Sequence, residues 1–322
     1  MFLYLCGMQA SESNTFEQFK LNRQLLNAIE EVGYTAPTPI QHQAIPLALA
    51  GHDVLGVAQT GTGKTAAYVL PMLMKIKFAQ AQGPRALVLA PTRELVLQIT
   101  QAIQQLSRYT DIRTVALYGG IGAKKQNAAF RQGGDVFVST PRRFLDIYLK
   151  GEISVKGLQL MVLDEADKMM DMGFMPQIRA ILEVIPRKRQ NMLFSATFQQ
   201  RVEHLAHEFL EFPMRVEVTP SATTADTVTH ALILTPNEAT KLMVLGHLLL
   251  TDPAYARVMV FARSKEIADR IARFLLQRVL HEDQLRVIHG NKGQNTRINA
   301  MEAFKQGGVR VLVATDVASR GI

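Results

Sequence analysis

Two clusters of residues carry chemistry by type and spacing. The first is Ala58-Gln59-Thr60-Gly61-Thr62-Gly63-Lys64-Thr65, set between a short apolar run and a helical pattern. Glycines there let backbone N–H groups curl around phosphate oxygens, and the helix start adds its dipole. Lys64 is placed to neutralise the β- and γ-phosphates, and the Thr65 hydroxyl to ligate Mg²⁺. Ala58 stands where the general pattern has glycine. A plain glycine-rich turn is the alternative, and the strand–loop–helix context argues against it. The second cluster, Asp164-Glu165-Ala166-Asp167, ends the apolar run Leu160–Leu163. Beside a phosphate-binding loop, a strand-end aspartate such as Asp164 holds Mg²⁺. A neighbouring glutamate, here Glu165, can orient or deprotonate the attacking water.

Weaker clusters follow the same layout. Pro91-Thr92-Arg93-Glu94 puts a hydroxyl and a guanidinium at a strand end beside a helix start, a phosphate-contact arrangement that carries no base information. Gly119-Gly120 allows close backbone approach to a ligand, or is only a turn. Ser195-Ala-Thr197 is a strand end whose hydroxyls can also cap a helix. Arg187-Lys188-Arg189 reads equally as a solvated turn or a nucleic-acid contact. His204 and His207 lie three apart, but no carboxylate or cysteine completes a metal set. Met169–Met175 reads as core packing.

These clusters need a scaffold that delivers them to one end. Apolar runs of four to six residues alternate with helical patterns: Val54–Val57, Ala86–Ala90, Val115–Leu117, Val136–Ser139, Leu160–Leu163 and Met192–Ser195. That alternation reads as βαβ units around a parallel sheet, whose ligands bind beyond the strands' carboxyl ends. Pro213–Val228 lacks an apolar period and reads as a linker. The alternation restarts with Ala231–Thr235, Val258–Phe261, Arg286–Ile288 and Val309–Thr315, with helices near Glu238–Leu250, from Lys265, and near Gln294–Lys305. No helix follows the last of these strands, so its sheet is expected to be open or the chain cut. The division is therefore an extension over 1–13, an α/β domain over 14–212, a linker over 213–228 and a second, incomplete α/β domain over 229–322.

Composition narrows the class. With 322 residues, 48% hydrophobic and 20% charged, the chain is long enough for about two domains and too apolar for disorder. The single cysteine, Cys6, cannot close an intramolecular disulfide. No apolar run reaches the length of a membrane span, and Phe2–Cys6 is too short for a signal-peptide core, so a cytoplasmic protein is expected. Residues 1–212 hold 22 basic and 18 acidic side chains and residues 213–322 hold 14 and 10, so each part carries +4 of the net +8. An excess shared by both domains fits a polyanionic ligand without requiring one.

The combination of Asp164-Glu-Ala-Asp167 with Ala58–Thr65 resembles the DEAD-box RNA helicases, and further motifs stand in family order from about residue 14 to the end. The resemblance implies two RecA-like parallel-sheet domains of P-loop NTPase type, with ATP and Mg²⁺ as cofactors, RNA as partner and ATP-driven separation of short duplexes as activity. Gly33–Gln41 resembles the adenine-reading segment, with Gln41 on the base and Phe16 stacked upon it. Tyr34 belongs to the same nucleotide-binding set. Pro91, Thr92, Arg93, Gly119, Gly120, Thr140, Pro141 and Arg143 correspond to RNA-backbone contacts, as do Gln294, Arg297 and Thr315 in the second domain. Ser195 and Thr197 are expected to touch Asp167 and couple ATP state to strand separation, and Asp316 to face the ribose. His289–Gln294 is similar to the bacterial RhlE-type branch.

Two departures stand out. Arg142 occupies a position where the family usually has glycine. The family's His-Arg-x-Gly-Arg motif, source of the arginine fingers, does not occur before Ile322. Such fingers are worth about 10³–10⁵ in rate, about 4–7 kcal/mol. The sequence is therefore expected to be a fragment that binds ATP and RNA with impaired turnover, and Met8 rather than Met1 an alternative start. A DNA translocase is the remaining competitor, disfavoured by the adenine-reading segment.

Overall fold

The computed structural model describes residues 15–76, 83–119, 133–218 and 231–315. It divides into two units, Met1–Thr223 and Thr224–Ile322. In the first unit, helices α1 (Arg23–Val32) and α2 (Pro39–Leu49) precede β1 (Val54–Val57) and α3 (Lys64–Lys75). Then come β2 (Ala86–Leu89), α4 (Arg93–Leu106), β3 (Thr114–Leu117), β4 (Val136–Ser139) and α5 (Pro141–Leu149). The unit continues with β5 (Leu160–Leu163), α6 (Ala166–Asp171), α7 (Met175–Val184), β6 (Gln190–Ser195), α8 (Gln200–Phe209) and β7 (Met214–Glu217).

The strands form one seven-stranded parallel sheet ordered β3-β4-β2-β5-β6-β1-β7. Its central strands are apolar at nearly every position because helices cover both faces. Alternation along each strand sorts side chains between two cores. Val54, Val88, Val162 and Phe194 pack with α1 to α4. Leu55, Leu89, Leu163 and Leu193 pack with α5 to α8.

The segment read as a linker begins as structure. Met214–Glu217 pairs in register with Val54–Val57 as the edge strand β7. Only Val216 of its four residues is buried, so the strand lacks the apolar run that marks its neighbours.

The second unit contains α9 (Glu238–Thr251), β8 (Val258–Ala262), α10 (Lys265–Arg278), β9 (Leu285–Ile288), α11 (Gln294–Lys305) and β10 (Val311–Thr315). Among the described residues its sheet is β8-β10-β9, all parallel. The last strand is therefore the middle one, not an uncovered edge. Val311 and Val313 meet residues of α9 and α10, while Leu312 and Ala314 meet Ala300 and Phe304 of α11. Ala231–Thr235, expected as a strand, has no strand conformation. Leu232 and Leu234 stand 87% and 86% exposed. β-forming residues adopt a strand only where a partner strand and a packing surface receive them.

At the sheet end away from the phosphate loop, polar residues pin β6. Gln190 Nε2 donates to the Ala48 and His52 carbonyls at 2.8 and 2.7 Å. The buried Asp53 carboxylate accepts from Asn191 N (2.7 Å), Asn191 Nδ2 (3.1 Å) and Glu211 N (2.8 Å). Asp53→Ala strands these donors, and the expected loss is about 2–4 kcal/mol of stability in urea unfolding of the chain. An unchanged midpoint would show that the cluster holds nothing together.

Candidate functional site

Parallel strands put all their carboxyl ends at one edge of the sheet, and the expected site residues of the first unit gather there. Strand order then divides them. The phosphate loop after β1, Ser195 at the end of β6 and Asp164 after β5 are on neighbouring strands. Pro91–Arg93 after β2, Thr140 after β4 and Gly119 beyond β3 occupy the other half.

The phosphate loop turns on Gly61 and Gly63, with φ of 85° and 90°, conformations that an L side chain adopts only under strain. Thr62 Oγ1 closes the turn on the Gln59 carbonyl at 2.7 Å. At Gly63 space is short as well, since a Cβ there would lie 2.4 Å from Gln41 Nε2. That amide donates to the Gly63 carbonyl at 3.0 Å, and Gln41 Oε1 accepts from Thr38 N at 2.9 Å. Gln41, expected on the adenine base, thus also braces the phosphate loop against the start of α2.

Helix α3 opens from this loop with Lys64 and Thr65. The buried Lys64 ammonium donates to the Ala58 carbonyl. Burial lowers its pKa, against the raising influence of Asp164, Glu165 and Asp167. Opposite, Asp164 is enclosed. Its Oδ1 accepts from Glu165 N and its Oδ2 from the Tyr68 hydroxyl, each at 2.9 Å. Burial pushes this carboxyl up to about 6, although Tyr68 and Lys64 favour its charged form. Phosphate and a divalent cation would return to each group the electrostatic partner that burial took away.

Glu165 sits at the N-cap of α6 in the left-handed region, φ 53° and ψ 52°, and its carboxylate pairs with Lys168 Nζ at 2.8 Å. Lys168 carried no signal in the sequence beyond its i+3 spacing. The structure brings Asp167, Ser195 and Thr197 together. Asp167 Oδ2 accepts from Thr197 N and Oγ1, both at 3.1 Å. Ser195 Oγ accepts from Asp167 N at 3.2 Å and donates to the Thr197 carbonyl at 2.7 Å.

Phe16, expected to stack on the adenine, lies in a cluster of rings. It is 4% exposed, held edge-on by Phe19 (6.0 Å between ring centroids) and stacked behind Tyr34 (6.2 Å, 25° between planes). Tyr34, 38% exposed, offers the free face of the pair. Both Phe16 and Tyr34 line a cleft of about 540 Å³.

On the other half of the edge, the Arg93 guanidinium reaches Gly119, where a Cβ would come within 3.2 Å of it. Thr92 spends its side-chain oxygen as N-cap of α4, accepting from Leu95 N at 3.2 Å. Thr140 stands at the N-cap position of α5 without a side-chain capping bond, with Pro141 buried at the first helical position. Arg142 is exposed at the second helical position and Arg143 half-buried at the third. The backbone there is helical, so the departure from glycine brings no strain. In the second unit, Thr315 is buried at the end of β10 and Arg297 half-buried on α11. His289 braces the loop before that helix, its Nδ1 accepting from Asn291 N at 3.3 Å and its Nε2 3.1 Å from Asp269. Gly120, Asp316 and the Gln294 side chain lie outside the described residues.

Among the described residues no group of three His, Cys, Asp or Glu could hold a metal unaided. Thr65 and Asp164 offer one hydroxyl and one carboxylate, hard oxygen donors that suit Mg²⁺ with nucleotide phosphates and water completing its shell. No helix among the described residues is long and apolar enough to cross a membrane.

Residues 38–205 match the DEAD/DEAH box helicase family, and residues 240–322 match the helicase conserved C-terminal domain. The chain belongs to the DEAD-box helicases. The ATP-dependent RNA helicase RhlB of Pseudomonas putida is 40% identical over 317 residues, covering 95% of this chain and 78% of its own length. The ATP-dependent RNA helicase DRS1 of Coccidioides immitis is 40% identical over 320 residues, where this chain spans 38% of that protein. Among solved structures, S. cerevisiae Dbp5 bound to RNA and ADP BeF3 superposes with a TM-score of 0.84 at 28% identity, over 96% of this chain and 78% of that one. Both units of this DEAD-box helicase are thus RecA-like. The bacterial relative named is an RhlB, so the narrower RhlE-type likeness rests on His289–Gln294 alone.

The double role of Gln41 is testable with ligands that lack a base. Gln41→Ala is expected to weaken both ADP and inorganic pyrophosphate by about tenfold, the worth of one to two hydrogen bonds. Isothermal titration of both ligands checks this; loss for ADP alone would confine Gln41 to the base.

Proposed function

We propose that this DEAD-box helicase binds Mg²⁺-ATP and single-stranded RNA, and uses RNA-dependent hydrolysis to separate short RNA duplexes in the cytoplasm. The observation that carries the reading is the bridge Asp167–Ser195–Thr197, which ties the acidic strand end to the neighbouring strand beside the phosphate loop. In this reading Gly61, Gly63, Lys64 and the start of α3 hold the phosphates. Thr65 and Asp164 hold Mg²⁺, which supplies charge neutralisation at the γ-phosphate. Gln41 hydrogen-bonds the adenine, and Phe16 stacks on it with Tyr34 beside it. Glu165 orients the attacking water, which requires it to leave Lys168 as the cation and phosphate arrive.

The loops bearing Arg93, Gly119, Thr140 and Arg143 contact the RNA backbone, as do Arg297 and Thr315 in the second unit. None of these residues is a stacking aromatic, so binding shows little sequence preference. Support comes from relatives named as ATP-dependent RNA helicases and from a likeness to a structure holding RNA with ADP BeF3.

The test is Mg²⁺-ATP turnover by the purified chain with and without single-stranded RNA, beside Lys64→Ala as blank. RNA is expected to stimulate turnover more than DNA does. Glu165→Gln is expected to lower turnover by about 10²–10⁴ while ATP-dependent RNA binding persists. Undiminished turnover in that variant would remove Glu165 from its role. Nucleotide binding without turnover above the blank would leave an ATP- and RNA-binding module, and equal stimulation by DNA would point to translocation on DNA.

A further inference from the structure

We propose that Tyr68 is a positioning residue for the divalent cation: its phenol hydroxyl fixes the Asp164 carboxylate against the first turn of α3. The proposal rests on the reading of Thr65 and Asp164 as the Mg²⁺ pair. Tyr68 is four residues after Lys64 and three after Thr65, so on α3 its side chain neighbours each of theirs. Its hydroxyl donates to Asp164 Oδ2 at 2.9 Å in a wholly buried setting. The other fixed donor to that carboxylate is Glu165 N on Oδ1, a backbone group of the chain that carries the aspartate itself. Among the described residues, Tyr68 is thus a direct hydrogen-bonded link from the phosphate-loop helix to the carboxylate plane.

The ring is held rigidly enough to serve. Phe194 of β6 packs on it at 5.3 Å between centroids, and Gly56 of β1 leaves room for Phe194, since a Cβ there would fall 2.4 Å from that ring. Surroundings this apolar would accept a phenylalanine on packing grounds. The hydroxyl therefore acts through its polar contacts, with Asp164 and with Thr65, the two residues read as the cation pair. Partners that orient a metal-bound carboxylate set metal affinity even though they do not touch the metal.

The experiment titrates a fluorescent ADP analogue into the full chain in EDTA and in Mg²⁺, and follows Mn²⁺ binding to the ADP complex by electron paramagnetic resonance. Tyr68→Phe is expected to keep the EDTA affinity and the unfolding midpoint, while Mn²⁺ affinity and the tightening of ADP by Mg²⁺ fall about tenfold. Phe194→Leu, which disturbs the packing and keeps the hydroxyl, is expected to lower the midpoint and retain the Mg²⁺ effect. A full Mg²⁺ effect in Tyr68→Phe overturns the proposal. So does a loss of ADP affinity that is equal with and without Mg²⁺, which would mark the hydroxyl as merely structural. Absence of any Mg²⁺ effect in the unaltered chain overturns the reading of the cation site as well.

Discussion

The site depends on β6 being hydrogen-bonded between β1 and β5. That single adjacency sets the phosphate loop, Ser195 and Asp164 side by side, and each end of β6 is secured differently. At its start Gln190 and Asn191 are tied to the carbonyls of Ala48 and His52 and to Asp53. At its end Ser195 and Thr197 engage Asp167. Between them the strand is buried throughout, so the hydrophobic layers fix its height and the polar ends fix its register. A one-residue slip would exchange Phe194 with its neighbours between the two cores and carry Ser195 away from Asp167.

The motifs were legible where chemistry demands residue types at fixed spacing. Ala58–Thr65 and Asp164–Asp167 announce themselves because phosphate cradling and cation binding tolerate few substitutes. Strands buried on both faces were legible for a related reason, since Val54–Val57 or Leu160–Leu163 can be little else. β7 escaped because an edge strand with one buried side chain has no apolar run to display. Ala231–Thr235 misled in the opposite direction, its composition promising a strand for which the described residues of the unit provide no partner.

Apart from Ser195 and Thr197 on Asp167, which the family resemblance implied, the polar contacts between elements were not legible. Tyr68 lies in an otherwise apolar stretch of α3 and reads as core, and its partner is 96 residues away. Gln41 beneath Gly63 and the burial of Phe16 behind Tyr34 are likewise facts of tertiary placement, while Lys168 beside Glu165 is a local i,i+3 pair. Pattern pointed to the groups suited to chemistry, and the fold shows the groups that hold them in place.

Glu165 carries a further meaning. Its left-handed backbone is unfavourable for any residue with a Cβ, by about 1–2 kcal/mol. Glycine would relieve that cost and asparagine would reduce it, yet neither brings a carboxylate to the strand end. A change that steadies the fold at this position therefore removes the acid. In the proposed reading of Glu165, a sturdier backbone and turnover thus pull against each other at one residue.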